Sequence, residues 1–347
     1  MKKDHIIIIR LSAMGDVAMT VPVVDALARK YPNLRISVLS RPFARAFFQF
    51  MPKNVDFIDA DLKGEHKGAK GLKRLYGRVF AKQPSAVADL HNVLRTKVIR
   101  TGLFLSGVKT AHINKHKSGK RRLCRKQNKV MVQQPTSFQN YIDVFSKLGY
   151  PITPDFKTIF HNGENLLSSL PTAIGEKHEG ELWIGIAPFA AHGGKMYPKE
   201  KMEEVVRMLV EKQPQLRLFF FGGGKEEKAI LNQWAKKYAR CTCASEVLRG
   251  LNEELILMSH LDTMVSMDSA NMHLASLVDT RVVSIWGATH PYCGFLGWGQ
   301  SVDDVIQNHN LTCRPCSVFG NKPCHRGDFA CMQTIEPKQI VQVVLKS

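Results

Sequence analysis

The sequence predicts an α/β protein made of two tandem series of parallel strands and helices. Short apolar runs alternate with stretches of helical periodicity, which indicates open, mostly parallel sheets covered by helices on both faces. The alternation pauses over residues 161–180, a polar stretch, and then begins again. With 347 residues, the chain is long enough for two domains of ordinary size.

The first series occupies residues 1–160 and starts from an apolar run at residues 5–11 that includes four consecutive isoleucines. Such a run is typical of a central strand buried on both faces. Four more strands are expected at residues 35–39, 56–60, 86–90 and 109–113. Helices are expected at residues 17–30, 41–50, 72–82, 93–105 and 136–148.

The second series occupies residues 181–335, and 161–180 are predicted to be the linker. Its expected strands are residues 182–187, 216–221, 263–267 and 281–286. Its expected helices are residues 198–212, 230–238 and 253–260, with a further short helix from 270. The terminal stretch 336–347 is predicted to be an amphipathic helix that packs back on the N-terminal domain.

The charge of the chain is strongly positive, with a formal net charge of +19 at pH 7. This balance favours an acidic partner such as nucleic acid, an anionic membrane surface or a phosphorylated substrate. No apolar stretch approaches the roughly 20 residues that span a bilayer, and no signal-peptide core is recognisable. We therefore expect a cytoplasmic protein. The dinucleotide pattern GxGxxG and the P-loop pattern are both absent from the sequence, which disfavours both corresponding classes.

The positive charge is concentrated between Leu90 and Ile142, an interval without a single Asp or Glu. Ordinary surfaces mix both signs, so we interpret this interval as an electropositive rim for an acidic ligand. The alternative is a solvated charged loop. Its middle part, residues 114–134, shows neither helical nor strand periodicity and is predicted to be a long mobile loop.

A carboxylate follows the first predicted strand in the loop Ser12-Ala13-Met14-Gly15-Asp16. At the mouth of a buried strand, Asp16 has the position of a general base for a substrate hydroxyl. Gly15 permits a sharp turn and close approach of a ligand to the backbone. The alternative is that Asp16 only caps the following helix.

Three loops of the second series carry residues suited to a phosphorylated ligand. Lys195 follows a strand and a small-residue loop, where its ammonium could meet a phosphate or simply be exposed. Gly222-Gly223-Gly224 precedes Glu226 and Glu227, which are either acceptors for a ribose diol or acidic residues of a first helical turn. Asp268-Ser269-Ala270-Asn271 opens a helix, and is either an anion site or the turn of an ordinary βαβ unit.

Four cysteines near the C-terminus have the spacing Cys313-x₂-Cys316-x₇-Cys324-x₆-Cys331. Four thiolates so close in sequence match a tetrahedral structural zinc site. The alternative is four reduced cysteines that pack a loop.

Taken together, several of these motifs resemble glycosyltransferase family 9, the lipopolysaccharide heptosyltransferases that use ADP-heptose. The matching blocks are Arg10–Val17 with Thr20 and Pro22, Lys195-Met196-Tyr197-Pro198, Met267–Ala275 and Trp286–Pro291, and the four-cysteine tail is also similar to one found in many members. The resemblance covers nearly the whole chain in the right order.

The resemblance implies a GT-B fold, in which two Rossmann-like domains face each other across a cleft. It implies an inverting transfer of heptose from ADP-heptose to an acidic inner-core lipopolysaccharide acceptor, without a catalytic metal. Asp16 would be the base, and Lys195 would stabilise the departing ADP. The residues implied on the donor side are Lys195, Glu226, Glu227, Asp268, Ser269, Ala270, Asn271, His273 and Thr289. Those expected on the acceptor side are Ser12, Met14, Gly15, Lys120, Arg121 and Arg122.

A lipid-anchored acidic acceptor would account for the basic interval, which would draw the enzyme to the inner face of the inner membrane. Two features depart from the family: the tract Phe189–Gly194 is usually polar, and Tyr197 replaces Trp. Another nucleotide sugar therefore remains an alternative donor. A nucleic-acid-binding module is disfavoured because the basic interval has almost no aromatic residues. A non-catalytic pseudoenzyme is disfavoured because both Asp16 and Lys195 are present.

Overall fold

The computed structural model describes residues 4–346, and its contacts divide the chain into two compact units. The first unit contains the described residues up to Lys115 together with Pro135–Ile159. The second contains His116–Gln134 and the described residues from Phe160 onward. The segment His116–Gln134 thus leaves the first unit between two of its elements and packs with the second.

The first unit is built on a parallel sheet of five strands in the order β3-β2-β1-β4-β5. The strands are β1 (His5–Ile9), β2 (Arg35–Ser40), β3 (Val55–Asp59), β4 (Ala86–Asp89) and β5 (Lys109–His112). All five residues of β1 are buried, because helices cover both faces of a central parallel strand. The five strands that the sequence predicts are confirmed.

The helices of the first unit agree with the predicted ones, except that one predicted helix is divided into two. They are α1 (Met14–Ala18), α2 (Val21–Lys30), α3 (Arg45–Phe48), α4 (Gly68–Phe80), α5 (Leu94–Leu105) and α7 (Ser137–Leu148). The predicted single helix 17–30 is two helices, because Pro22 lacks the N–H of a helix interior and occupies a first turn instead. Gly149 ends α7 in the left-handed conformation, as expected.

The predicted mobile loop 114–134 is wrong in part, because it contains the helix α6 (Lys117–Leu123). Its buried positions are Gly119, Lys120 and Leu123, so a single small face packs while the rest remains exposed. With one leucine among seven residues, this helix offers too little apolar periodicity for recognition from sequence.

The second unit is built on a parallel sheet of six strands in the order β8-β7-β6-β9-β10-β11. The strands are β6 (Leu182–Ala187), β7 (Leu216–Phe220), β8 (Cys241–Cys243), β9 (Thr263–Met267), β10 (Val282–Trp286) and β11 (Val305–Gln307). This is the strand order of a dinucleotide-type Rossmann fold. The prediction missed β8 and β11, which have three residues each and are too short to show a period.

The second unit also contains α-helices. They are α6, α8 (Lys199–Lys212), α9 (Lys225–Lys237), α10 (Ala244–Val247), α11 (Leu251–Ser259), α12 (Ala270–Ser276), α13 (Ala330–Gln333) and α14 (Pro337–Val344). The C-terminal helix α14 packs against α8 inside the second unit, with Ile340 fully buried. These contacts differ from the expected packing of this helix on the N-terminal domain.

Each sheet has one point where the strand order reverses, and ligands of such sheets bind there at the carboxyl ends of the strands. In the first sheet this point lies between β1 and β4, and in the second between β6 and β9. Over residues 4–346, the search for a helix long and apolar enough to cross a membrane finds none.

Candidate active site

The carboxyl end of β1 holds an ion pair between Arg10 and Asp16. The Arg10 Nη2 atom lies 2.6 Å from Asp16 Oδ2, and the Ala13 backbone N–H donates to the same oxygen at 3.1 Å. The Arg10 side chain is 7% exposed and the Asp16 side chain 31%. From the first turn of α1, Asp16 accepts the N–H of the N-cap residue Ala13, and its carboxylate stays accessible beside a buried cation. Its function as a base stays a prediction.

The carboxyl end of β4 supplies the neighbours of this ion pair. Arg10 donates to the Leu90 carbonyl oxygen at 2.6 Å, and the His91 ring lies 3.4 Å from the Ser12 hydroxyl. Burial, together with the positive charge of Arg10, lowers the pKa of His91 to about 3. His91 is therefore a neutral ring at physiological pH and orients the Ser12 loop without adding charge.

Asp89 anchors the β4 end of the same site. Its fully buried carboxylate accepts the backbone N–H groups of His91 at 3.0 Å and Asn92 at 2.7 Å, and pairs with Arg100 at 2.9 Å. A carboxylate that accepts this many donors fixes the loop that bears His91.

In the second unit, three strands bring Lys195, Asp268 and Thr289 together. The Lys195 ammonium lies 2.9 Å from Asp268 Oδ2, and the Thr289 hydroxyl donates to the same oxygen at 2.8 Å. These residues follow the neighbouring strands β6, β9 and β10, so they meet at the carboxyl edge of the sheet, next to the point where the strand order reverses. Asp268 is 3% exposed and Thr289 is fully buried, whereas the Lys195 side chain keeps 16% exposure.

The loops that carry this cluster are braced by residues far away in the sequence. Arg314 is buried, and it donates to the carbonyl oxygens of Gly287 at 2.9 Å, Thr289 at 2.9 Å and Trp286 at 3.2 Å. Gly320 lies so close to Lys195 that a β-carbon at this position would sit 2.6 Å from Lys195 Cγ. The segment around 314–320 thus shapes the Lys195 and Thr289 loops.

The remaining donor-side predictions have mixed placements. Glu227 accepts the Gly223 N–H at 2.8 Å, so it closes its own glycine turn, while Glu226 is exposed. Ser269, Ala270 and Asn271 are half-buried at the start of α12. His273 is buried on the same helix.

The predicted acceptor residues fall in both units. Ser12, Met14 and Gly15 adjoin Asp16 in the first unit, whereas Lys120, Arg121 and Arg122 lie on α6 in the second. Arg121 and Arg122 are exposed. Lys120 is 6% exposed, and its ammonium lies 4.1 Å from the centroid of the Phe295 ring.

The four C-terminal cysteines line one small cavity in the second unit, with Arg314 in its wall. Its volume of about 10 Å³ has room for a single water-sized body. All four thiols are free, and within residues 4–346 no group of three or more His, Cys, Asp or Glu side chains has metal-binding geometry.

Sequence reasoning missed four residues that organise these sites: Arg10, Asp89, His91 and Arg314. Two of them left a signal, since Arg10 and Asp89 are charged residues next to or within otherwise apolar runs. His91 and Arg314 act on loops that only the folded chain brings close to them, so the local sequence carries no sign of their function.

Comparison with solved structures identifies the fold. The Escherichia coli ADP-heptose lipopolysaccharide heptosyltransferase II is 17% identical, with a TM-score of 0.68 over 98% of this chain and 97% of that one. The E. coli heptosyltransferase WaaC with ADP is 17% identical, with a TM-score of 0.65 over 87% and 92%. At this identity the likeness shows the fold, which is that of the GT-B glycosyltransferases.

The chain belongs to glycosyltransferase family 9, the heptosyltransferases, whose family model matches residues 92–322. A curated relative, lipopolysaccharide heptosyltransferase 1 of Campylobacter coli, is 22% identical over 98% of this chain and 97% of its own length. The protein is therefore a glycosyltransferase, as the motifs at Asp16, Lys195 and Asp268 predict.

The lowered pKa of His91 predicts a dependence of stability on pH. An unfolded histidine has a pKa of about 6.5, whereas folded His91 titrates at about 3. Between these values the unfolded chain binds a proton that the folded chain does not, so stability falls as the pH drops through this window. We expect His91→Gln to flatten the decline of the melting temperature between pH 7 and 5.

The matched control is His178→Gln, because His178 is exposed. This variant should follow the wild-type curve. His290 of the second unit, with a pKa lowered to about 4 by burial and by Arg314, adds a decline of the same sign that His91→Gln leaves in place. Equal slopes for wild type and His91→Gln would contradict the neutral state of His91.

Proposed function

We propose that this protein transfers a heptose from ADP-heptose to an acidic inner-core lipopolysaccharide acceptor, with inversion at the anomeric carbon. The observation that carries the proposal is the charge at the two strand-order reversals: an accessible carboxylate in one unit and an ammonium in the other. Family membership supports the reaction class. The C. coli relative, named as a lipopolysaccharide heptosyltransferase, and WaaC, solved with ADP, support the choice of substrates.

In the proposed reaction, Asp16 takes the proton from an acceptor hydroxyl while the oxygen of that hydroxyl attacks the anomeric carbon of the donor sugar. The bond between that carbon and the diphosphate breaks, and ADP leaves with the electron pair. Arg10 holds Oδ2 of Asp16 in place and leaves the rest of the carboxylate oriented for proton transfer. A buried arginine is well suited to this task because it stays charged at any working pH.

Negative charge develops on the departing diphosphate, and Lys195 is the cation proposed to stabilise it. An ammonium has three donors, so Lys195 can keep its 2.9 Å contact with Asp268 while it donates to a phosphate oxygen. Asp268 is buried and bears negative charge, so its proposed effect on donor binding is to position Lys195. With this cation supplied by the chain, we propose that transfer needs no catalytic metal.

Another nucleotide sugar was considered as donor because the sequence departs from the family at Tyr197 and in the tract Phe189–Gly194. The positions of these residues in the structure weaken that argument. Tyr197, which replaces the usual Trp, is 2% exposed and its hydroxyl donates to the Ile335 carbonyl at 2.8 Å. It belongs to the core, so this departure need not alter donor recognition. Phe189 and Ala190 are half-buried against the same core, whereas Ala191, His192 and Gly193 are exposed, and these three are placed to affect the choice of donor.

We propose that the basic segment His116–Gln134 contacts the acidic acceptor and the anionic inner face of the inner membrane. Its exposed cations are Lys117, Arg121, Arg122, Arg125 and Lys126. Each cation near an anionic bilayer contributes about 1 kcal/mol to association. The segment contains no Phe, Tyr or Trp, so it lacks the aromatic side chains on which single-stranded nucleic acids stack, and this favours a lipid or sugar partner.

We also propose that Cys313, Cys316, Cys324 and Cys331 hold a structural zinc ion. The support is their common cavity and the preference of zinc for thiolate ligands. Because no three of these side chains have metal-binding geometry in the described structure, zinc binding would draw the four thiolates together. The cavity wall includes Arg314, which braces the Thr289 loop. A metal at this place would stabilise the donor side of the protein without entering the reaction.

Replacement Asp16→Asn should lower kcat by about 10²–10⁴-fold, the usual contribution of a general base. The amide keeps the shape of the side chain, so ADP affinity measured by calorimetry should stay within about two-fold. Asp155→Asn, which changes an exposed carboxylate, is the control and should retain full turnover. Wild-type turnover by Asp16→Asn would remove Asp16 from the mechanism.

Calorimetry with ADP, UDP and GDP should show a preference for ADP. Lys195→Met should weaken ADP binding by about 10–100-fold, because a charge-assisted hydrogen bond contributes roughly 1.5–3 kcal/mol. Lys199→Met removes an exposed lysine nearby and should leave the affinity unchanged. A preference for UDP would overturn the heptose donor, and unaltered ADP binding by Lys195→Met would exclude Lys195 from the site.

Charge reversal at Arg121 and Arg122 should reduce sedimentation with phosphatidylglycerol vesicles and raise the acceptor KM, while ADP affinity stays constant. Lys120 is left unchanged because it is buried. The control reverses the same number of charges at Lys73 and Arg74, which are exposed on α4 of the first unit. If vesicle association and acceptor KM both stay at wild-type values, the segment has neither proposed contact.

Elemental analysis of the purified protein should find about one zinc per chain, with four of the eight thiols protected from a thiol reagent until a chelator is added. Cys324→Ser should lower the zinc content, whereas Cys241→Ser, outside the cluster, should not. Substoichiometric zinc with all thiols reactive would show that the cysteines only pack the loop.

A further inference from the structure

The segment His116–Gln134 is fastened to the second unit at several separate points. The Gln134 N–H donates to the Tyr292 carbonyl at 2.9 Å, and the Lys129 ammonium donates to the Pro315 carbonyl at 2.6 Å. Lys120 lies over the Phe295 ring. The partners at 292 and 295 both belong to the stretch that directly follows the Thr289 loop.

Between these points, the thiols of Cys124 and Cys293 lie close enough for each to shift the pKa of the other. Cys124 directly follows α6, and Cys293 is the last residue of the short 3-10 helix Pro291–Cys293. Cys293 is fully buried and Cys124 is half-buried. These two cysteines lie 169 positions apart in the chain (293 − 124), so the contact exists only in the folded protein.

The surroundings make Cys124 the more reactive of the two. The interaction with Cys293, followed by the charges of Lys129 and Lys322, lowers the pKa of the Cys124 thiol against the opposing effect of burial. The pKa of Cys293 is raised by the same interaction and by burial. The thiolate is the form that attacks oxidants, and the more accessible thiol is the one whose pKa is lowered, next to a buried thiol able to resolve it.

We propose that Cys124 and Cys293 are a site of oxidative cross-linking, where a reversible disulfide fastens the segment His116–Gln134 to the loop after β10. Neither residue belongs to the proposed zinc site or to the transfer chemistry, and the cross-link does not depend on the proposed function. The contacts of Gln134 and Lys120 with residues 292 and 295 hold the two segments that carry these cysteines side by side, as formation of an S–S bond of about 2.05 Å requires.

The chemistry needs a peroxide as the oxidant. The Cys124 thiolate attacks one peroxide oxygen and becomes a sulfenic acid, while the other oxygen leaves and is released as water. The Cys293 sulfur then displaces the sulfenic oxygen as a second water and forms the disulfide. In sum, two thiols and one hydrogen peroxide give one disulfide and two waters. A small dithiol restores both thiols by exchange.

Cross-linking should restrain the segment, which otherwise has only non-covalent contacts to hold it. The tether closes next to the donor cluster, since the Cys293 thiol lies within electrostatic range of both Lys120 and Asp268. The segment also has seven Lys or Arg residues between 117 and 129, all of them potential trypsin sites, so restraint is measurable as resistance to this protease.

The test treats the full-length protein with limiting hydrogen peroxide and counts thiols. We expect the loss of two of eight thiols, a linked pair of peptides containing Cys124 and Cys293 in a non-reducing peptide map, and full recovery with dithiothreitol. Native trypsin should cut the segment several-fold more slowly after oxidation, and fragments separated by a cut between 124 and 293 should stay joined on a non-reducing gel.

Cys124→Ser, at the half-buried position, should keep the wild-type melting temperature and lose both the linked peptide and the protease resistance. Cys241→Ser is the matched control and should keep them. A disulfide among the four C-terminal cysteines, no thiol loss, or an unchanged linked product in Cys124→Ser would each overturn the proposal. Cys293→Ser serves as a second variant if Cys124→Ser fails to fold.

Discussion

The buried carboxylate of Asp268 is the constraint on which the second unit depends. One of its oxygens pairs with the Lys195 ammonium and also accepts a hydrogen bond from the Thr289 hydroxyl. These contacts join the loops that follow β6, β9 and β10. A charge with so little exposure is stable only while it is paired, and removing one partner of such a pair typically costs about 3–5 kcal/mol. The position of Lys195 is therefore fixed by folding, before any donor arrives.

The first unit has a comparable ion pair in which the signs of the buried and the accessible charge are exchanged. There the buried partner is a cation, Arg10, and the accessible one is the anion, Asp16. In both units the buried charge holds the accessible charge at the carboxyl edge of the sheet, where the strand order reverses. This common principle places an accessible carboxylate in one half of the protein and an accessible ammonium in the other.

The central strands could be predicted from the sequence because burial on both faces requires continuous apolar runs, as at Ile6–Ile9 and in β9. The short edge strand β11 and the helix α6 could not, since three residues or a single leucine show no period. Asp16, Lys195 and Asp268 were recognisable because each follows a recognisable strand. Arg314 was not, because its partners are main-chain carbonyls that only the folded chain places around it.

The bonding of Arg314 also limits what this arginine can do. Four of its N–H groups are engaged by the carbonyls of Trp286, Gly287, Thr289 and Asn308. A guanidinium has five N–H donors, so Arg314 has a single donor left for an incoming anion, although it lies next to the loop where the anion is proposed to bind. Its contribution is structural, because it holds the backbone of the loop that carries Thr289. Binding of the proposed donor would then require no change in the backbone of this loop.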